Sequence, residues 1–390
     1  MKYVQINMSS GVWADAVIFK KHRELIANGD ESWVFWGRGG HEQDEHMECI
    51  TTMSKVRLDA LQTRLDGRPG FHSKKVTQGL LKRLDEIDPD VVHLHVLTGY
   101  YLNVEMLFDW LASHRCKVNW TLHDCWDFTG HCIYFTYANC SQWKSGCAFA
   151  SPCPQKREYP ECWFAGDATV QRNWMDKRRI FTSLPAERVQ LITPSEWLAG
   201  LVRQSFLGKY NVKVVHNTVN TSVFKPTPSD FRDHYRLGDR FVVLGVASKW
   251  SERKGLQDFV RLANDLDSNT YAVVVIGLSE KQIKQVEAEA AHIVALPRTD
   301  TQQELVKAYT AADVFFNPTR EDNYPTVNLE AEACGTPVVT YNTGGCSETL
   351  ALISDSQVAD GYDASVEAIK RLRIAEDNGV HDCQCQELCQ

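Results

Sequence analysis

The sequence predicts an α/β protein built from two doubly wound parallel-sheet domains. Three observations carry that expectation. Short apolar runs alternate with helix-like segments along the chain, the pattern of parallel strands covered by helices on both faces. With 390 residues the chain is long enough for two domains of the usual size, roughly 100–200 residues each. Between residues 221 and 232 it turns polar and proline-containing, as a linker does. The boundaries that follow are 1–222, 223–372 and a C-terminal tail over 373–390.

In the first half, residues 3–8 read as a strand, followed by the loop Ser9-Ser10-Gly11 and a helix over 16–27. Residues 32–36 read as the next strand. After Asp88-Pro89-Asp90, the run Val91-Val92-His93-Leu94-His95 is almost continuously apolar, as suits a strand buried on both faces. Residues 117–122 form another strand and end at His123 and Asp124. Leu191-Ile192-Thr193 leads through Pro194-Ser195 into a helix, and 212–216 closes the series at Asn217. The second half repeats the pattern. Strands are expected over 241–247, 272–276 and 314–316, with helices from Leu256 and over 305–312, and another over 365–372.

The stretch 320–348 organises this second half. Pro325 suits the first turn of a helix, because its φ is fixed and it has no N–H to lose, and Gly335 can take the left-handed cap that ends one. After that helix come the apolar run Val338-Val339-Thr340-Tyr341 and then Gly344-Gly345, a turn feeding a second helix start at Ser347 and Glu348. Two helix N-termini preceded by accessible amides attract anions, phosphate above all. Glu330 lies one turn beyond Thr326 on the same face, where a carboxylate reaches whatever the helix end holds.

Composition narrows the function classes. A formal charge of −8 argues against a nucleic-acid binder, which carries a basic excess. No apolar run approaches the roughly 18 residues that cross a bilayer, and the first residues lack the apolar core of a signal peptide, so a cytoplasmic location is expected. The chain has 13 cysteines, and an odd number without a secretion signal disfavours a disulfide framework. Cys132, Cys140, Cys147 and Cys153 have seven, six and five residues between them. Four thiolates can hold a structural zinc, although the tight two-residue spacing of zinc knuckles is absent. Reduced cysteines packing a loop, and disulfides, stay open as alternatives. The segment Arg172 to Phe181 mixes basic and bulky apolar residues. It is either an amphipathic helix resting on an anionic membrane or a helix with one face packed on its own domain.

Further motifs bring a family into view. Asn217-Thr218-Val219-Asn220-Thr221-Ser222-Val223-Phe224-Lys225-Pro226 resembles the signature joining the two domains of retaining glycosyltransferase family 4. Lys249 to Gly255 resembles that family's phosphate loop, and Ala312-Asp313-Val314-Phe315-Phe316-Asn317-Pro318 its lead into the donor site. The stretch 320–348 resembles its motif of two acids with seven residues between them. These matches fall in order over roughly 130 residues. In the first half, Asp90 to His95, Thr121-Leu122-His123-Asp124 and the cysteine cluster are similar to the branch that builds bacterial surface polysaccharides such as colanic acid and O-antigen. The resemblance implies the GT-B fold, two Rossmann-like domains facing a cleft. It also implies a nucleotide-sugar donor (UDP- or GDP-sugar), a lipid-linked oligosaccharide acceptor presented at the inner face of the membrane, retention at the anomeric carbon, and no catalytic metal.

The same resemblance assigns roles. Glu330 takes the ribose hydroxyls, and Asp322 or Glu321, with the amides of Asn323, Tyr324, Pro325, Thr326 and Val327 (proline offering no N–H), holds the donor sugar and phosphate beside Gly344 and Gly345. By spacing Asp322 is the first acid; by residue type it is Glu321. Lys249 and Lys254 neutralise the departing diphosphate, the first standing where the family usually has arginine. His123 contacts the donor sugar or acceptor, with Asp124 and His95 nearby and His95 equally readable as core. Gly11 is the one glycine left in the loop that approaches the acceptor. The family's long closing helices are abbreviated to the tail, which can pack back on the first domain. A GT-B sugar-nucleotide epimerase and a non-catalytic nucleotide-sugar-binding protein remain as rivals.

Overall fold

Two units divide the chain, Met1–His216 and Asn217–Gln390, and the computed structural model describes residues 1–11, 15–156, 162–164 and 166–377. The division falls six residues before the boundary drawn from sequence, because the polar segment after Asn217 already packs with the second unit. Val219 packs against a buried core that holds Phe224, Tyr309, Phe315 and Val338.

The first unit runs β1 (Lys2–Ser9), α1 (Lys20–Ala27), β2 (Glu31–Arg38), β3 (Met47–Cys49), α2 (Met53–Asp66), α3 (Lys74–Ile87), β4 (Val91–Leu94), α4 (Val104–Ser113), β5 (Lys117–Thr121), α5 (Asp167–Phe181), β6 (Val189–Thr193), α6 (Glu196–Gln204) and β7 (Asn211–Val214). Its seven strands lie in the order β3-β2-β1-β4-β5-β6-β7, every neighbouring pair parallel. The helix expected over 16–27 is entered through a π turn at Asp15–Phe19. Ser195 caps α6 with its hydroxyl, accepting the Leu198 amide at 3.1 Å.

The second unit runs α7 (Phe231–His234), β8 (Phe241–Val246), α8 (Leu256–Asp265), β9 (Tyr271–Ile276), α9 (Glu280–Glu289), β10 (Val294–Leu296), α10 (Gln302–Ala311), β11 (Val314–Asn317), α11 (Thr326–Ala333), β12 (Val338–Tyr341), β13 (Gln357–Ala359) and α12 (Tyr362–Asp377). Its strands lie in the order β10-β9-β8-β11-β12-β13, again all parallel. Both orders are that of the dinucleotide-binding sheet, in which the chain winds one way from the first strand and then reverses. The reversal lies between β1 and β4 in one unit and between β8 and β11 in the other, and loops at the carboxyl ends of such strand pairs form ligand sites.

Strands β3 and β10 are only three residues long, too short for a periodicity to reveal. The second helix start expected at Ser347 is a single 3-10 turn, Ser347–Thr349. Helix α12 runs through residues the sequence reading had placed in the tail, and 378–390 lie outside the described residues.

Candidate functional site

In the second unit the loops after β8 and β11 meet at the reversal point. The β8 loop turns back through a 3-10 turn, Glu252–Lys254, and ends at Gly255, whose φ of +75° no side chain adopts easily. A Cβ there would stand 2.4 Å from the Pro318 carbonyl oxygen. Glycine thus lets the two loops lie one against the other. The contact places Lys254 Nζ 2.6 Å from Asp322 Oδ2, with an Arg253 nitrogen at 3.6 Å from the same oxygen. Arg253 also donates to the Glu321 carbonyl.

Asp322 is buried, and burial alone would push its pKa up. The Lys254 ammonium and the Arg253 guanidinium overcome that, with help from the Asn323 amide at 2.9 Å, and hold the carboxyl below its usual range. The Asp322 carboxylate faces these cations. Glu321 is fully buried, and its carbonyl accepts from Arg253 and from the Thr319 hydroxyl.

The glycine pair closes on the same loop. Gly345 donates its amide to the Asp322 carbonyl at 2.9 Å. Gly344 has φ +59°, and a Cβ on it would lie 1.9 Å from that carbonyl oxygen. Tyr324 donates to the Glu348 carbonyl, and Thr343 to that of Thr319. Gly344→Ala is therefore expected to destabilise the protein by roughly 2–4 kcal/mol, combining backbone strain with a backbone clash. Denaturant unfolding checks it, and an unchanged midpoint would show that the loop simply shifts.

Helix α11 starts at this loop with Pro325 in the N-cap position, which offers no side chain to close the helix end. One turn on, Glu330 accepts from the Tyr309 hydroxyl at 3.0 Å. Its pKa is pushed up to about 7 by burial, with Tyr309 and Thr326 pulling weakly the other way. Lys249 is exposed on the β8 loop. Arg320, at the front of the motif, is turned away by Asp258, which receives both its terminal nitrogens at 2.6 and 3.0 Å.

In the first unit, three imidazoles stack. His93 and His95 lie on the same face of the sheet with ring centroids 4.2 Å apart, and His95 and His123 follow at 5.7 Å. His95 Nδ1 and His123 Nε2 are 3.4 Å apart. His93 is fixed between the Tyr3 and Thr121 hydroxyls, both at 2.8 Å. Burial pushes His93 and His123 down to about 3 and His95 well below its ordinary value. All three are neutral at pH 7. Asp124 is turned into its own loop, accepting the Trp126 amide at 2.8 Å. Below it, the buried Lys177 donates to the Trp126 carbonyl and lies 3.9 Å from the Trp126 ring centroid. Gly11, at the end of the β1 loop, is exposed.

Two stretches for which the sequence leaves alternatives take their places here. Cys132, Cys140, Cys147 and Cys153 do converge, around one small cavity lined also by Phe135 and Trp143. They are unbridged, however, and no group of three or more His, Cys, Asp or Glu that could hold a metal is present among the described residues. Burial raises the Cys132 and Cys153 thiols and pushes Cys147 up to about 12. The four unbridged thiols pack against Phe135 and Trp143 in one loop. Helix α5 likewise takes the packed alternative, because Val170, Trp174, Lys177, Ile180 and Phe181 on it are buried. No helix among the described residues is long and apolar enough to cross a membrane.

Sequence reasoning missed Arg253, Tyr309 and His93. The last was legible, since His93 and His95 at an interval of two must share a face of the strand.

Two Rossmann-like parallel sheets of this order match the GT-B fold. Solved structures agree in fold: sucrose-phosphate synthase from Thermosynechococcus elongatus (TM-score 0.65, 14% identity, 95% of this chain and 90% of that one) and Anabaena HepE in complex with UDP-glucose (TM-score 0.61, 15% identity, 97% and 90%). Residues 229–378 match the family model "Glycosyl transferases group 1". The second unit thus carries a glycosyl transferases group 1 domain. It is similar to the putative colanic acid biosynthesis glycosyl transferase WcaC of Escherichia coli, 24% identical over 363 residues, 86% of this chain and 82% of the relative. It is also 33% identical over 161 residues to a GDP-mannose-dependent phosphatidylinositol monomannoside mannosyltransferase of Mycolicibacterium smegmatis, but over only 37% of this chain and 42% of that enzyme.

Proposed function

We propose that the protein is a retaining hexosyltransferase. It moves a sugar from a UDP- or GDP-sugar to a lipid-linked oligosaccharide during assembly of a bacterial surface polysaccharide, on the cytoplasmic side of the membrane. The observation that carries the reading is the Lys254–Asp322 contact of 2.6 Å, set beside the uncapped start of α11 with Glu330 one turn inside. An anion-binding helix end, a cation and two carboxylates match the parts of a nucleotide sugar: diphosphate, sugar hydroxyls and ribose. HepE, a fold relative, was crystallised with UDP-glucose, which supports the same donor class here.

In this reading Glu330 accepts hydrogen bonds from the ribose hydroxyls. Lys254, with Lys249, takes the charge that builds on the diphosphate as the bond from the anomeric carbon to the phosphate oxygen breaks. Asp322 and the amides of residues 323–327 hold the sugar. The acceptor hydroxyl attacks the same face of the ring, and its proton passes to the departing phosphate oxygen, so no side-chain nucleophile is required. His123, neutral and stacked on His95, serves as a hydrogen-bonding contact to sugar or acceptor and is not the base.

Screening nucleotide sugars for a rise in melting temperature tests the donor assignment. A true donor at 100 times its dissociation constant adds roughly 2.7 kcal/mol. If neither uridine nor guanosine diphosphate sugars shift the transition, the donor assignment fails.

A further inference from the structure

Helix α2 carries apolar residues on both of its sides. Its buried positions are Val56, Asp59, Ala60 and Thr63, and the inward Asp59 carboxylate is satisfied by the hydroxyls of Ser73 at 2.5 Å and Thr63 at 3.3 Å. At about 100° per residue, Leu58, Leu61 and Leu65 fall together on the opposite side. They are 57%, 45% and 47% exposed. Three leucines suited to a core thus face outward, while an aspartate and a threonine occupy the core side.

Cations border this stripe. Arg57 and Arg64 lie along one edge and Lys55 along the other, while Lys74 and Lys75 open α3. Lys55, Leu58, Lys74 and Lys75 line a common groove of about 390 Å³. At the far end of α2 the Trp163 amide donates to the Arg64 carbonyl at 2.7 Å. That bond sets the exposed Trp163 and Phe164 beside the last turn of α2; Phe164 is 75% exposed. The only exposed acid on α2 is Asp66, in a chain whose net charge is −8. The cationic edge is therefore a local reversal of sign.

We propose that this face of α2, with Lys74, Lys75, Trp163 and Phe164, docks the protein on an anionic lipid bilayer. Leucines and aromatic rings enter the headgroup boundary while the bordering cations meet acidic headgroups, the division of labour of an interfacial helix. A second copy of the chain fits less well, because self-association about this stripe would set its cations against one another. The proposal deepens the lipid-linked-acceptor reading and rests on it for its biological sense. Its test, however, needs neither donor nor acceptor, so the two can fail separately.

The experiment is co-sedimentation of the full chain with vesicles of phosphatidylglycerol and phosphatidylcholine, compared with phosphatidylcholine alone. Binding to the anionic vesicles is expected to be at least tenfold tighter and to weaken with salt. The Leu58→Ser/Leu61→Ser/Leu65→Ser variant, altered only at exposed positions, is expected to lose at least tenfold in partitioning with an unchanged melting temperature. Lys74→Glu/Lys75→Glu is expected to lower binding and flatten its salt dependence. Undiminished binding by the leucine variant, or equal binding to both vesicle types, would overturn the proposal. So would a wild-type dimer that the leucine variant converts to monomer, which would assign the stripe to a second copy.

Discussion

Lys254→Ala is expected to lower kcat/KM for sugar transfer by roughly 10²–10³, the usual cost of removing one preorganised group that stabilises transition-state charge. The ammonium stands 2.6 Å from Asp322, at the reversal point where the β8 and β11 loops meet. The folded protein should survive the change. Arg253, 3.6 Å from the same carboxylate oxygen, still compensates Asp322, so the stability loss is about 1–2 kcal/mol instead of the 3–5 of a fully stranded buried charge. Lys254→Arg keeps the charge and is expected to retain more activity than alanine. Steady-state kinetics alongside thermal unfolding separates the two effects. A variant that melts normally and transfers at the wild-type rate would remove Lys254 from the site.

Glu330→Gln is expected to make the protein more stable and less functional. Burial pushes the Glu330 pKa from 4.5 up to about 7. An acid whose folded pKa exceeds its unfolded value binds its proton more tightly when folded. Its effect on stability is therefore absent below about pH 4.5, turns unfavourable as pH rises toward 7, and stays unfavourable above that. A shift of this size corresponds to about 3 kcal/mol, which glutamine recovers at pH 8 and not at pH 4. Donor affinity moves oppositely. Only the carboxylate accepts from two ribose hydroxyls at once, so wild-type affinity should rise with pH through about 7 and the glutamine variant should bind weakly at every pH. Calorimetric titration and thermal melts at pH 5 and pH 8 check both halves. A glutamine variant that binds donor normally would show Glu330 to be structural.

These effects depend on pairings that the sequence makes legible to different degrees. Strand residues such as Val91 to Leu94 and Phe241 to Val246 are readable because burial on both faces demands continuous apolar runs. The loops after β8 and β11 are readable because glycine, proline and charge cluster there. Which acid meets Lys254 is not, since Glu321 and Asp322 differ by one step along a loop whose course is fixed by Gly255 against Pro318 and Gly344 against Asp322. Arg320 illustrates the same limit. It sits at the front of the motif, yet Asp258, 62 residues earlier in the chain, holds it away from the pair. Tyr309 reaches Glu330 from the neighbouring helix, a contact set by the sheet and not by spacing.

The cysteine cluster and α5 were readable as alternatives only. The fold brings the four thiols together beside Phe135 and Trp143, which their spacing alone does not show. Helix α5 has the composition of a membrane-resting helix, yet its apolar side belongs to the core. Helix α2 is the converse case, with apolar residues on opposite sides, and periodicity alone could not say which side faces inward.

In the proposed reaction one nucleotide sugar is held in the second unit and its sugar is passed on with retention. The most direct test incubates the protein with a labelled donor found by the melting screen and a lipid-linked oligosaccharide, and follows both the label and the anomeric configuration of the product. The expected result is label in the lipid fraction with the donor's configuration kept, and loss of that signal in Lys254→Ala. A donor altered at its sugar without any acceptor would mean an epimerase. No turnover of a bound donor would mean a binding protein, and an inverted product would contradict the same-face mechanism.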